Sequence, residues 1–276
     1  MQSGYYNTTG GMVTQFNRLD LISNNLANLN TTGFKRDDVV IGDYLRLYET
    51  HKEQLPIEDH TRKAAKFLNR TMNRVPIISE EYTDRSVGNL TQTDNPLDFA
   101  LQRENAFFVI QTPDGIRYTR DGNFNLNSDG YLVNKEGYLV LSRDGIDSQE
   151  GIRVSAGLHI ESDTSGNLYL RNLNNDAIGE QINIGALAIV GFENPRYLKK
   201  VGKNLYEYPK ERKDEREIVQ NSIVAQGFVE KSNVNAVREM TSLIETNRLV
   251  DMYSKVMKSH MDDLNTEAIT KLAVRA

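Results

Sequence analysis

The sequence predicts an α+β protein with a long helix at each end of the chain and an all-β body between them. Two observations carry this. The first thirty and the last forty-five residues each hold one apolar stripe at helical spacing. From about Pro76 to Phe228, short apolar runs alternate with turn residues.

In the N-terminal stripe, Met12, Phe16, Leu19, Ile22, Leu26 and Leu29 are separated by 4, 3, 3, 4 and 3 positions. This is a narrow seam close to a heptad period. Arg18, Asp20, Asn24, Asn25 and Asn28 lie mostly away from it. Gly10 and Gly11 weaken the first turns by about 1 kcal/mol each relative to Ala. Gly33 is the expected left-handed stop, with Phe34 folding back on Leu29.

The C-terminal helix is expected to open at Ser232 or Asn233 as N-cap. Val237, Met240 and Ile244 begin its stripe, and Val250, Tyr253, Met257, Met261 and Leu264 continue it. No Gly or Pro interrupts residues 232–276, so the helix should exceed thirty residues. Neither terminal helix can bury its seam alone. Each must pair with the other, with the β-body or with another copy.

In the middle region, Ala106–Gln111, Ile116–Thr119, Asn123–Leu126, Tyr131–Asn134 and Tyr138–Leu141 are separated by Pro113-Asp114-Gly115, Asp121-Gly122, Ser128-Asp129-Gly130 and Glu136-Gly137. Asp-Gly between alternating runs is a hairpin signal. Residues 181–192 form another strand or pair of strands. Two segments fit neither pattern. Residues 43–76 are charged and nearly free of Gly, and residues 196–217 mix both charge signs and read as a solvated loop. The expected division is residues 1–34 and 231–276 as terminal helices, 35–76 as an extended charged connection, and 77–230 as the β-rich domain.

Composition removes several classes of function. The net charge of −5 argues against nucleic acid, since a phosphate-tracking protein carries a basic excess. Absence of Cys excludes disulfides, thiolate metal sites and thiol nucleophiles. No apolar stretch approaches the roughly 18 residues of a transmembrane helix, so no membrane insertion is expected. The opening MQSGYYNTTGG lacks a basic and an apolar region, so no cleaved secretory signal is expected.

Catalytic motifs are also missing. His51, His60, His159 and His260 form no pair at helical metal-ligand spacing. The run from Asp121 to Leu132 resembles a calcium loop, but it has Leu126 where Gly is needed and Leu132 where Glu is needed. No nucleophile elbow, phosphate loop or dinucleotide fingerprint occurs. Asp98, beside Pro96, reads as a turn cap. The sequons at Asn7 and Asn89 read as coincidental. No enzyme, cofactor or metal site is expected.

The run Asn24-Asn25-Leu26-Ala27-Asn28-Leu29-Asn30-Thr31-Thr32-Gly33-Phe34-Lys35 closely resembles the N-terminal signature of bacterial flagellar rod and hook proteins. The resemblance continues through Thr93–Ala100, Phe107–Ile110, Tyr118–Phe124 and Gly137-Tyr138. It extends through Gly227–Met240 and Glu245–Arg248. It spans nearly the whole chain in the family order.

This resemblance implies a non-enzymatic subunit of the basal-body rod. The terminal helices would pair as an inner coiled-coil domain, with the β-body outside. Subunits would stack helically into a hollow drive shaft spanning the periplasm, exported by the flagellar type III apparatus without a cleaved signal. Implied partners are copies of itself, other rod proteins and hook-side neighbours. The charged, Gly-poor segment 43–76 favours a proximal over a distal rod subunit. A non-polymer accessory or chaperone module binding through the terminal helices is the alternative. Tyr44, Tyr48, Leu55, Phe67 and Leu68 in that segment are expected to anchor it on adjacent subunits, because it cannot form a core of its own.

Overall fold

The computed structural model describes residues 2–44, 75–154, 159–171, 182–219 and 224–273. The chain divides into two compact units. The first holds Met1–Ala27, Asp37–Thr83 and Asn235–Ala276; the second holds Asn28–Arg36 and Asp84–Val234.

In the first unit, α1 (Gln2–Ala27) and α2 (Ala236–Ala273) lie side by side and antiparallel. Asn25 Nδ2 donates to Glu239 Oε2 at 3.4 Å near one end, and Thr9 meets Met257 near the other. Gly11 lies under Tyr253, where an added Cβ would sit 2.7 Å from the ring. The expected weak point in the helix is thus a contact that requires the missing side chain.

Helix α2 spans 38 residues. Its cap differs from the expectation. Asn235, not Ser232 or Asn233, accepts the Arg238 N–H on its side-chain oxygen at 3.1 Å. The amide of Asn233 is engaged elsewhere.

Strands β1 (Asp37–Tyr44) and β2 (Val75–Thr83) form an antiparallel ribbon in the same unit. Thr14 Oγ1 donates to Pro76 O at 2.9 Å, joining the ribbon to α1. A two-stranded ribbon is marginal alone, so the helix supplies the cover it needs. Of the expected intersubunit anchors, Tyr44 ends β1, and Tyr48, Leu55, Phe67 and Leu68 lie outside the described residues.

The second unit contains the β-body. Its largest sheet is antiparallel, in the order Lys199–Lys200, Leu205–Glu207, Gly115–Thr119, Ala106–Thr112, Leu139–Val140, Leu132–Val133 and Asn125–Leu126. Ala106–Thr112 also pairs with Ile189–Phe192. Strand Ala106–Thr112 is apolar at every early position because both of its faces are buried. Phe108 and Ile110 pack with Phe99, Phe124 and Leu132 on one side. Phe107 and Val109 pack with Tyr118, Phe192 and Tyr206 on the other. A three-stranded sheet joins His159–Ser162, Asn167–Arg171 and Ile182–Ala186. Residues 181–192 therefore supply two strands, in different sheets.

Three of the four turn signals act as read. Gly115, Gly130 and Gly137 all have positive φ at strand reversals. Asp121-Gly122 makes no hairpin. Gly115–Thr119 pairs with Leu205–Glu207, and Asn125–Leu126 pairs with Leu132–Val133. The charged run 196–217 is also not simply a loop. It contributes strands, and it buries Leu198, Leu205, Tyr206 and Tyr208.

Candidate functional site

Two sets of residues concentrate the sequence-predicted positions, one in each unit. In the first unit, the helix–helix seam is offset from the apolar stripe. The buried positions of α1 include Thr8, Gly11, Gln15, Ile22 and Asn25, which keep a heptad spacing. The predicted stripe runs one residue later, and Ile22 is common to both. Met12, Leu19, Leu26 and Leu29 are half-buried, and Phe16 is 44% exposed.

On α2, Val250, Tyr253, Met257 and Leu264 are half-buried at the seam, beside the fully buried Glu239 and Thr246. Val237, Met240, Ile244 and Met261 face outward, at 74%, 55%, 54% and 55% exposure. The seam is thus unusually polar, and among the described residues part of the apolar stripe is uncovered. Gln15 Oε1 is buried and finds no hydrogen-bond partner among the described residues. Such a group costs roughly 1–3 kcal/mol.

In the second unit, the end of the N-terminal signature meets two other quoted motifs. Glu230 is at the centre. Its Oε1 accepts Lys35 Nζ at 2.6 Å and the Gly88 N–H at 2.8 Å. Its Oε2 accepts Arg120 Nε at 2.8 Å and lies 2.7 Å from Nη2. Lys35 also donates to Ser86 O, and Arg120 to the carbonyls of Leu101, Arg103 and Ala106. All three charged side chains are at most 2% exposed.

The triad carries two cations and one anion. Burial holds the Lys35 pKa below the ordinary lysine value, and Arg120 adds to this while Glu230 opposes it. The donors and acceptors saturate one another. The site therefore ties chain segments together and presents no acid–base pair to solvent.

The neighbouring residues of the signature are held as firmly. Gly33 has φ +68°, as expected, but it does not cap α1, which ends at Ala27. Its N–H donates to Glu230 O at 2.8 Å, and a Cβ would sit 2.4 Å from Asp121 N. Only Gly meets both conditions. Thr32 Oγ1 donates to Asp121 Oδ1, Asn204 Nδ2 donates to Thr32 O, and Lys200 Nζ sits 4.4 Å over the Phe34 ring. Phe34 therefore packs under Lys200. Asn25, in the first unit, brackets Asp37: its Nδ2 donates to Asp37 O and its Oδ1 accepts the Asp37 N–H.

Arg120 and Glu230 stand inside the quoted motifs with no part assigned to them, and Asn233, expected as a helix cap, instead accepts the Arg36 N–H and donates to Asp84 O. The available signal was a charge within an otherwise apolar or turn-forming run, as in Phe228-Val229-Glu230 and Tyr118-Thr119-Arg120.

Comparison with known proteins gives this arrangement a context. Residues 6–35 match the family described as flagella basal body rod protein. Residues 103–185 match the flagellar hook protein FlgE/F/G D1 domain, and 225–270 the C-terminal family of flagellar basal body rod FlgEFG proteins. The chain is 33% identical over 254 residues to the flagellar basal-body rod protein FlgG of Agrobacterium fabrum, covering 90% of this chain and 91% of that one. The chain belongs to the flagellar basal-body rod protein family.

Other rod proteins are similar at the same level. FlgG of Buchnera aphidicola subsp. Schizaphis graminum is 31% identical, with 89% of this chain and 90% of that protein covered. FlgF of Caulobacter vibrioides is 30% identical, with 99% and 98% covered. Rod proteins are structural and non-enzymatic, in keeping with a buried triad that only ties segments together. The triad links all three matched regions, through Lys35, Arg120 and Glu230.

Proposed function

We propose that this rod protein is a proximal, FlgF-like subunit that polymerises helically, with copies of itself and other rod components, into the hollow shaft transmitting motor torque. The observation that carries polymerisation is the outward apolar stripe of α2, Val237, Met240 and Ile244, which the described residues leave exposed. In a polymer, neighbouring copies cover it, and the terminal helices act as an inner coiled-coil layer with the β-body outside. Export through the flagellar type III apparatus, assembly across the periplasm, and contacts of segment 43–76 with adjacent subunits belong to the same reading.

The proximal position is supported by the end-to-end likeness to FlgF relatives, at 99–100% of this chain, and by the Gly-poor charge of residues 43–76. The distal reading is favoured by one observation, that identity to FlgG relatives reaches 33% where that to FlgF relatives reaches 30%. Gold labelling of a tagged chain in purified basal bodies decides between them. Label at the motor-side end of the rod is expected. Label at the hook-side end overturns the proximal reading, and absence of label from the rod overturns the rod role.

A further inference from the structure

The chain has seven methionines and no Cys, so its oxidisable sulfur is all thioether. Four of the seven lie on α2, at positions 240, 252, 257 and 261. Their surroundings differ. Met257 is half-buried in the helix seam, with its sulfur 4.0 Å from Thr9 Oγ1. Met240, Met252 and Met261 are 55%, 54% and 55% exposed.

The seam positions of α2 repeat every seven residues, at Glu239, Thr246 and Tyr253 and again at Val250, Met257 and Leu264. In the same repeat, Met240 and Met261 share one position. Val237 and Ile244 share the position next to it around the helix, on the outward face. Met252 stands apart from both, across a polar row of Thr241, Arg248 and Lys255. Two of the three exposed thioethers therefore belong to the outward stripe, and the third does not.

A hydroperoxide transfers one oxygen atom to a thioether. An S–O bond forms, the peroxide O–O bond breaks, the sulfur is oxidised, and the peroxide leaves as water or an alcohol. The product is a sulfoxide, a strong acceptor on a side chain that was apolar. In water this costs the chain little. In an apolar contact the new oxygen finds no donor and loses its hydration.

We propose that Met240 and Met261 are oxidation sites at which a hydroperoxide switches off the free subunit's capacity to join the rod. The proposal rests on the reading of the outward stripe as a subunit contact. Hydrogen peroxide and the purified full chain test the sites. By peptide mass spectrometry, Met240, Met252 and Met261 should each gain one oxygen at least about fivefold faster than Met257 and Met12. Met240 or Met261 reacting no faster than Met257 overturns the proposal, whatever the chain assembles into.

Glutamine, whose amide oxygen imitates the sulfoxide, tests the consequence in cells. Met240→Gln with Met261→Gln should lower the number of complete rods in basal-body preparations at least about tenfold. Met240→Leu with Met261→Leu, and Met252→Gln alone, should leave it unchanged. The purified glutamine double variant should unfold in urea as the original does. A normal rod count in that variant, an equal loss in Met252→Gln or in the leucine variant, or a large loss of stability overturns the proposal. Val237→Asp with Ile244→Asp separates the two readings. If it blocks rods while the glutamine variant does not, the oxidation switch alone fails. If it too builds complete rods, the stripe is not a subunit contact and both fail.

Discussion

A carboxylate removed from water needs several donors, and Glu230 has the Lys35 ammonium, two guanidinium nitrogens of Arg120 and the Gly88 N–H. The two cations depend on it unequally. Arg120 keeps three backbone carbonyls if Glu230 is neutralised, but two buried positive charges then face each other. Glu230→Gln should therefore cost about 3–5 kcal/mol, the range for breaking a buried pair. Lys35→Met removes the surplus cation and leaves the Arg120–Glu230 pair intact, so it should cost less. Urea unfolding of both variants checks the order; a lysine variant as unstable as the glutamine variant would contradict it. Tyr208 offers a pH prediction. Burial, and donation of its hydroxyl to Glu215 at 2.5 Å, push the phenol from 10.0 up to about 12. Because the folded value is the higher, its contribution to stability is complete below pH 10 and is lost as pH rises through 12. Tyrosinate absorbance should show one late step that Tyr208→Phe removes. None of these pairings was legible in the sequence. Lys35 and Glu230 are separated by 195 positions, and charge alone names no partner over that distance.

At the scale of elements, the sequence predicted both helices and most strands from periodicity, and the failures have physical causes. The Asp121-Gly122 hairpin failed because Asp121 is recruited by Thr32 and Phe99 N–H bonds to Gly122 O, so tertiary bonds override the local turn. The charged run 196–217 failed because Leu198, Leu205, Tyr206 and Tyr208 are buried beneath the charges, and composition averages over that alternation. The intrachain helix contact runs one residue off the apolar stripe, because periodicity marks an apolar face without naming what covers it. Here Gln15, Asn25, Glu239 and Thr246 occupy that contact, while Val237 and Ile244 face outward. This division gives a test. Asp at Val237 and Ile244 together should change the isolated chain's stability by no more than about 1 kcal/mol, since each exposed substitution is worth within about 0.5. Assembly should fail, because every copy would place two carboxylates in an apolar contact. Basal bodies with a complete rod in the double variant would show that the stripe is not a subunit contact.

For the whole molecule, the two units differ in what holds them. The second has clusters buried on both faces of its main sheet and a saturated ionic triad. The first relies on a helix pair whose buried positions include Thr8, Thr14, Gln15, Asn25, Glu239 and Thr246, with Gln15 Oε1 unsatisfied among the described residues. Ordering costs roughly 1–2 kcal/mol per residue in backbone entropy. A polar seam returns little against that cost, and the apolar stripe returns its share only when another surface covers it. The units should therefore separate in amide exchange on a verified monomer. Amides of Ala106–Thr112 should exchange by global unfolding, and those of residues 12–26 and 240–264 by low-energy local opening. In assembled rods the helix amides should slow by orders of magnitude, because burial of Met240 and Ile244 then opposes the same opening. Strong protection of both helices in the monomer would mean that the intrachain seam suffices, and it would remove the reason for reading the uncovered stripe as a polymer contact.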